Sequence, residues 1–372
     1  MELSYWEYKT WLSNVDFTVV GSGIVGLNCA LHLKEKYPSS KVLVLEKGSL
    51  PQGASTKNAG FACFGSISEL LSDLRIHSQE NVVNLVKKRW DGIQVLRTLL
   101  GDNVIGLEQY GGHELFLKKD TSLFKTCVEG MDTLNALLKP IFGEKPFVKT
   151  RNVFGFENIQ NTYITHTFEG QLDTGKLMSA LLEKCLKKGI HIMNGAAVKK
   201  LQDSGNRVEI QTSDFSFNTR KTYIATNGFA SEFLKTETVN PARAQVLITK
   251  PINDLKIKGT FHFDEGYYYF RNIDNRILFG GGRNLDFETE ETPSFGKTTI
   301  VQHELERLLN TVIFPNQNIE IDYSWSGIMG VGPQKTPIVK QVSNNVYCGV
   351  RLGGMGIALG SLVGKELADL SN

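Results

Sequence analysis

Six residues near the N-terminus, GSGIVG (Gly21, Ser22, Gly23, Ile24, Val25, Gly26), have the types and spacing of a turn that holds a phosphate chain. In that spacing Gly21 makes the tight turn and Gly23 lets the backbone approach a pyrophosphate. Gly26 lets a helix press against the preceding strand. Glu46, twenty positions past Gly26, suits an acid that accepts hydrogen bonds from ribose hydroxyls. The loop beyond it, ASTKNAGF, sets Ser55, Thr56 and Asn58 beside the small Ala59 and Gly60. Such a chain can wrap a pyrophosphate and a flat ring. A second glycine cluster, VRLGGMGIALGS, has Gly353, Gly354, Gly356 and Gly360 opening a helix, with Arg351 at its mouth. Glycines at a helix start bring backbone N–H groups close to an anion or a flat ligand.

The elements that must carry these residues follow from periodicity. DFTVVG (16–21) reads as a buried strand, 24–36 as a helix and KVLVLEK (41–47) as the next buried strand, which makes a β-α-β unit. Helical spacing returns at 81–100 and 174–189. Strand-like stretches follow in IHIMNG, RVEIQT and TYIATNG. RAQVLITK, GTFHF, GYYYFR and RILFGGGR, separated by turn residues, read as an antiparallel sheet. The fold class expected is α/β plus α+β: a Rossmann-like dinucleotide-binding domain interleaved with an antiparallel-sheet domain. The division predicted is 1–85, 168–232 and 325–372 for the first domain, and 86–167 and 233–324 for the second.

Bulk properties narrow the class. The 372 residues carry 41 basic against 39 acidic side chains, a formal charge of +2, so no electrostatic footprint for nucleic acid is expected. Five cysteines are scattered without a C-x-x-C pair, which suits a reducing compartment. The start, MELSYWEYKTWLSNVD, is aromatic and acidic rather than basic then apolar, and the most apolar stretch is short and broken by glycine. No signal peptide or membrane span is expected, and the default location is cytoplasmic. His262 with Asp264 and Glu265 offers two ligands on one strand face without a third, so no metal is expected.

VVGSGIVGLNCALHL, VLVLEKGSLPQGASTKNAGF, TYIATNGFA, GYYYFRNIDNRILFGGG, WSGIM and LGGMGIALGSLVGKELADL occur in an order that resembles the D-amino-acid oxidase (DAO) superfamily of FAD-dependent oxidoreductases. The nearest-looking branches are the glycine, sarcosine and γ-glutamylputrescine oxidases. The likeness implies a first domain of the glutathione-reductase type that binds FAD, and a second domain that binds substrate. It puts Gly21, Gly23, Ile24, Val25 and Gly26 at the FAD pyrophosphate, Glu46 at the ribose and Lys47 beside the adenine. Ser55, Thr56, Asn58 and Ala59 would run along the pyrophosphate and flavin, with Val198, Thr226, Asn227 and Gly228 at the nucleotide. Gly354, Gly356, Ile357, Ala358 and Leu359 would meet the flavin pyrimidine edge. The activity implied is hydride removal from a carbon beside nitrogen in an amine or amino acid, with oxygen or an unidentified carrier as electron acceptor. A 2-hydroxy-acid or polyol-phosphate dehydrogenase, and a flavin-binding protein without turnover, are the alternatives.

The chain departs from that pattern where the glycine-oxidase-like branch carries a carboxylate-gripping arginine, for here stands Met329. The substitutes expected are Arg351, at a position usually given to glycine, and Arg271, at the end of a strand that carries Tyr267 and Tyr269 on one side. Tyr267 matches a substrate-pocket tyrosine of the glycine oxidases. Cys63 and Cys348 lie in no recognised flavin-attachment pattern and are expected to be buried small residues.

Overall fold

The Val15–Val20 strand is buried at every position but Asp16, and a strand buried on both faces must be covered by helices on both sides. In the computed structural model, which describes residues 2–315 and 317–371, it sits at the centre of an eight-stranded sheet. Five of those strands run parallel, in the order Val346–Val350, Ser216–Ile224, Val15–Val20, Val42–Leu45 and His191–Met193. The Ile24–Lys36 helix makes the crossover from Val15–Val20 to Val42–Leu45, and Thr174–Lys187 leads into the last strand. This is the Rossmann-like unit that the sequence predicts.

Helix packing here is close because small residues line the contacts. A Cβ on Gly26 would lie 1.9 Å from the Gly21 carbonyl oxygen, so the first glycine turn and its helix fit only with hydrogen at that position. The closing helix, Gly356–Asp369, is clamped between Ile24–Lys36 and Gln79–Leu100. A Cβ on Gly92 of the latter would meet the Ala358 carbonyl oxygen at 1.9 Å.

The second sheet also has eight strands, ordered Ile321–Val331, Asn240–Thr249, Arg276–Gly281, Tyr268–Ile273, Thr260–Phe263, Gly112–Glu114, Thr162–His166 and Phe147–Arg151. All neighbours are antiparallel except Thr260–Phe263 and Gly112–Glu114, which run parallel. An aromatic core that includes Phe156, Phe261, Phe270 and Phe279 fills the face away from the first unit. The boundary drawn at 325 falls inside a strand: Ile321–Val331 pairs along its length with Asn240–Thr249, so residues 325–331 belong to this second sheet. Arg271 likewise lies within Tyr268–Ile273 rather than at its end.

Candidate functional site

The end of the first sheet and one face of the second border a shared cavity of ≈ 650 Å³. At one end of it the Ile24–Lys36 helix begins at Gly23 without a capping side chain, and only Ile24 N–H is engaged by a neighbour, Ser55 Oγ at 3.0 Å. First-turn amides and the helix dipole are therefore free to meet an anion there. Glu46 is buried and held in place: Oε2 accepts from Ser22 Oγ (2.8 Å) and Ser22 N (3.2 Å), and Oε1 from Gly48 N (3.0 Å). Lys47 places Nζ 3.1 Å from the centre of the Phe229 ring, and burial lowers its pKa. Val198 and Thr226 line the same end, and the Thr226 hydroxyl is buried without a hydrogen-bond partner. That orphaned hydroxyl and the open helix start are what a phosphate-rich nucleotide would satisfy.

The second glycine turn is latched to the Thr226–Gly228 turn by a side chain. Asn227, at φ 41°, accepts with Oδ1 from Arg351 N (3.0 Å) and Leu352 N (3.1 Å). The turn it secures runs into the closing helix, whose cap residue Met355 contributes no side-chain hydrogen bond, so its first amides also lack a capping partner. Gly354, Gly356 and Ile357 of that turn line the cavity, as do Ser55, Asn58 and Ala59. Gly26, Thr56, Ala358 and Leu359 do not. Gly26 is committed to helix packing, the Thr56 hydroxyl donates to Pro51 O (2.7 Å), and Ala358 and Leu359 are buried behind the turn.

The opposite wall is one register row across the second sheet: Glu114, His262, Tyr269, Gly280, Val246 and Trp325 are successive cross-strand partners. Partners in register share a face, and His262, Tyr269 and Val246 all reach the cavity. The Tyr269 ring meets Phe61 edge-on at 5.7 Å, and Trp325 Nε1 donates to Lys57 O at 3.0 Å. His262 turns Nε2, which has no hydrogen-bond partner, toward Glu114 Oε2 at 4.0 Å. Burial brings His262 down to about 4 and pushes Glu114 up to about 7, so at neutral pH the imidazole is uncharged. Tyr267 lies at the rim, and Met329 sits in the wall with Sδ facing the Gly354 turn.

Neither arginine expected to replace the one missing at Met329 lines the cavity. Arg351 donates through Nε (3.2 Å) and Nη2 (3.1 Å) to Thr336 O, and through Nη2 to Gln334 Oε1 (3.4 Å). Arg271 donates Nη1 to Leu172 O (2.9 Å) behind Gly60, and burial lowers it to about 10. Both guanidiniums brace backbone carbonyls.

Several cavity residues escaped sequence reasoning because distant segments bring them together. Glu69 receives Arg89 Nη2 and Lys335 Nζ, each at 3.0 Å, and these cations overcome burial to hold it at about 2. Glu169 accepts from Phe64 N (2.6 Å) and Gly65 N (3.2 Å), yet burial outweighs both donors and pushes it up to about 8. Cys63 also lines the cavity, its thiol 3.5 Å from Met355 Sδ and raised by burial, whereas Cys348 is buried within its strand. Among the described residues, no helix is long and apolar enough to cross a membrane.

Comparison with known proteins agrees with this architecture. The family described as FAD dependent oxidoreductase (DAO) matches residues 16–370. The chain is 22% identical to the γ-glutamylputrescine oxidoreductase of Escherichia coli, over 95% of this chain and 83% of that protein. It superposes on the L-proline dehydrogenase of P. horikoshii with a TM-score of 0.76 at 18% identity, covering 96% and 93% of the two chains. Glycine oxidase from Bacillus cereus gives 0.74 at 18% identity, covering 96% and 94%.

Proposed function

The chain belongs to the DAO family of FAD-dependent oxidoreductases, and from that premise we propose that it oxidises a carbon–nitrogen bond in an amine or amino acid. The observation that carries this reading is the continuity of the cavity. The same space is bounded by the two glycine turns and by the Tyr267, Tyr269 and His262 wall of the second sheet. The names of relatives acting on γ-glutamylputrescine, proline and glycine point the same way.

Gly21, Gly23, Ser55, Thr226, Gly354 and Gly356 would hold FAD through backbone and hydroxyl groups, with Glu46 and Lys47 at its adenosine end. Bound FAD supplies the acceptor for a hydride leaving the carbon beside nitrogen. The chain's own residues bind and orient the substrate. Tyr267 and Tyr269 present aromatic surface to an amine. The substrate must react as its free amine, since nitrogen offers its lone pair as the hydride departs, and His262, uncharged at neutral pH, adds no competing cation to that wall.

Anaerobic mixing of the FAD-loaded protein with primary amines, N-methyl amino acids, proline and 2-hydroxy acids tests the reading. Bleaching of the flavin by nitrogen compounds is the expected result, and bleaching by hydroxy acids alone would overturn it. Admitting oxygen afterwards separates an oxidase, which regains its colour quickly, from a dehydrogenase that needs a carrier.

A further inference from the structure

Glu114 makes contacts that lead away from His262 as well as toward it. It ends the Gly112–Glu114 strand, is 2% exposed and does not itself line the cavity. Its Oε2 accepts from Ser68 N at 3.1 Å, and its Oε1 accepts from Ser68 Oγ. Ser68 Oγ in turn lies 3.2 Å from Ser66 Oγ, and Ser66 lines the cavity. Ser66 also caps the Ile67–Ile76 helix, accepting from Glu69 N at 3.1 Å. Two hydroxyls thus join a buried carboxyl to the cavity wall.

The hydrogens along that path fall into a single order when Glu114 is ionised. A carboxylate only accepts, and a hydroxyl has one hydrogen to give. Ser68 spends its hydrogen on Glu114 Oε1, so the contact between the serines is a donation from Ser66. Ser66 then has no hydrogen left. Of its two lone pairs one serves the Glu69 amide and the other is open. The wall therefore offers the cavity an acceptor, backed by a negative charge behind two hydroxyls. Such a group suits the N–H of an amine or ammonium. A proton on Oε1 lets the order reverse, and Ser66 then donates.

We propose that Ser66 binds the substrate nitrogen, accepting its N–H into the lone pair that ionised Glu114 turns toward the cavity through Ser68. This deepens the amine-oxidoreductase reading, on which the nature of the donor rests. Burial raises Glu114 to about 7, so the acceptor form is gained as pH rises through neutrality. The groups facing Glu114 are His262 across the parallel pairing, Glu69 with its partners Arg89 and Lys335, Cys127 of the Thr121–Phe142 helix, and Glu169 against Gly112. His262 at about 4, Glu69 at about 2 and Cys127 at about 12 keep one charge around neutrality. Glu169, at about 8, does not, so variants must assign the effect.

Calorimetric titration of FAD-loaded protein with tert-butylamine is the test, because that amine has no hydrogen on the carbon beside nitrogen and cannot be oxidised. It stays an ammonium from pH 6 to 8.5, so changes in affinity belong to the protein. Only ionised Glu114 presents the acceptor, so wild-type affinity should rise about tenfold over that range. Glu114→Gln keeps both contacts with Ser68, but its amide NH2 donates to Ser68 Oγ and turns the order round. It should bind on the order of 10-fold more weakly at pH 8.5, without the pH slope and with unchanged flavin content. Ser68→Ala, which leaves Glu114 in place, should behave alike, and Ser68→Thr should restore the slope. Tetramethylammonium, a cation without N–H, should bind more weakly than tert-butylammonium at pH 8.5. Wild-type affinity and slope in Glu114→Gln or Ser68→Ala overturn the proposal, as does a wild type without the slope or without preference for the N–H donor. The bleaching panel is read separately. Bleaching by amines with binding independent of Glu114 removes the Ser66 inference alone, and Glu114-dependent binding without bleaching by any amine removes the amine-oxidation reading alone.

Discussion

Arg351 shows how much one side chain can conceal. Its backbone sits at φ 65°, where a residue with a Cβ is strained by about 1–2 kcal/mol, which is the physical reason glycine suits this position. The strain is offset by the Asn227 latch on its N–H and by the guanidinium on Thr336 O. Arg351→Gly and Arg351→Ala lose the same brace, but only alanine keeps the strain. The glycine variant should be the more stable of the two by about 1 kcal/mol in urea unfolding. Asn227→Ala should be more damaging, by about 1–3 kcal/mol, because it leaves the Arg351 and Leu352 amides without an acceptor. Loss of flavin on dialysis should accompany it. The oddity of an arginine among glycines was legible in the sequence. The direction of its side chain was not, because that depends on a carbonyl delivered by a loop fifteen positions earlier.

Among the elements, short-period pattern was easy to read and pairing was not. The Ile24–Lys36 helix and its flanking strands appear where apolar spacing and the glycine turn predict them. The Glu114–His262 approach could not be foreseen, since it requires a three-residue strand to pair in parallel with a segment far downstream. The boundary at 325 failed for a related reason: a strand's sheet is decided by its partner, which local sequence does not encode. The buried ionisable groups on these elements set a pH dependence. Glu114 at about 7 and Glu169 at about 8 keep protons in the folded state that an unfolded glutamate, ordinarily at 4.5, has lost. Their contribution to stability is full below pH 4.5 and disappears as pH rises through 7 to 8. His113, His166 and His262, lowered by burial to about 4, 3 and 4, act oppositely: their contribution is present above 6.5 and is lost as pH falls. About one pH unit above 6.5 the histidine contribution is complete and the carboxylates lead, with the buried cysteines, raised by burial, acting in the same direction. The Tm of flavin-free protein should therefore fall between about pH 7.5 and 8.5. Glu169→Gln should flatten that fall.

At the scale of the whole molecule, the cavity owes its shape to how tightly the closing helix is gripped. Gly92→Ala adds a methyl group where only 1.9 Å separates its Cβ position from Ala358 O. Alanine favours helix by about 1 kcal/mol, but forcing the two helices apart costs more, so a net loss of about 1–2 kcal/mol is expected in chemical denaturation. Weaker flavin retention should follow, because the displaced helix carries the Gly356 end of the site. The Asn227 latch has a consequence for the newborn polypeptide. It joins a turn at 226–228 to one at 351–357, and the first glycine turn, at 21–26, is made long before either. A ligand stabilises only a conformation that already possesses its site. On the placement of FAD proposed above, the cofactor can therefore give no help to the early half of the chain during synthesis, and its hold on the protein should arrive only once Ile357 has left the ribosome.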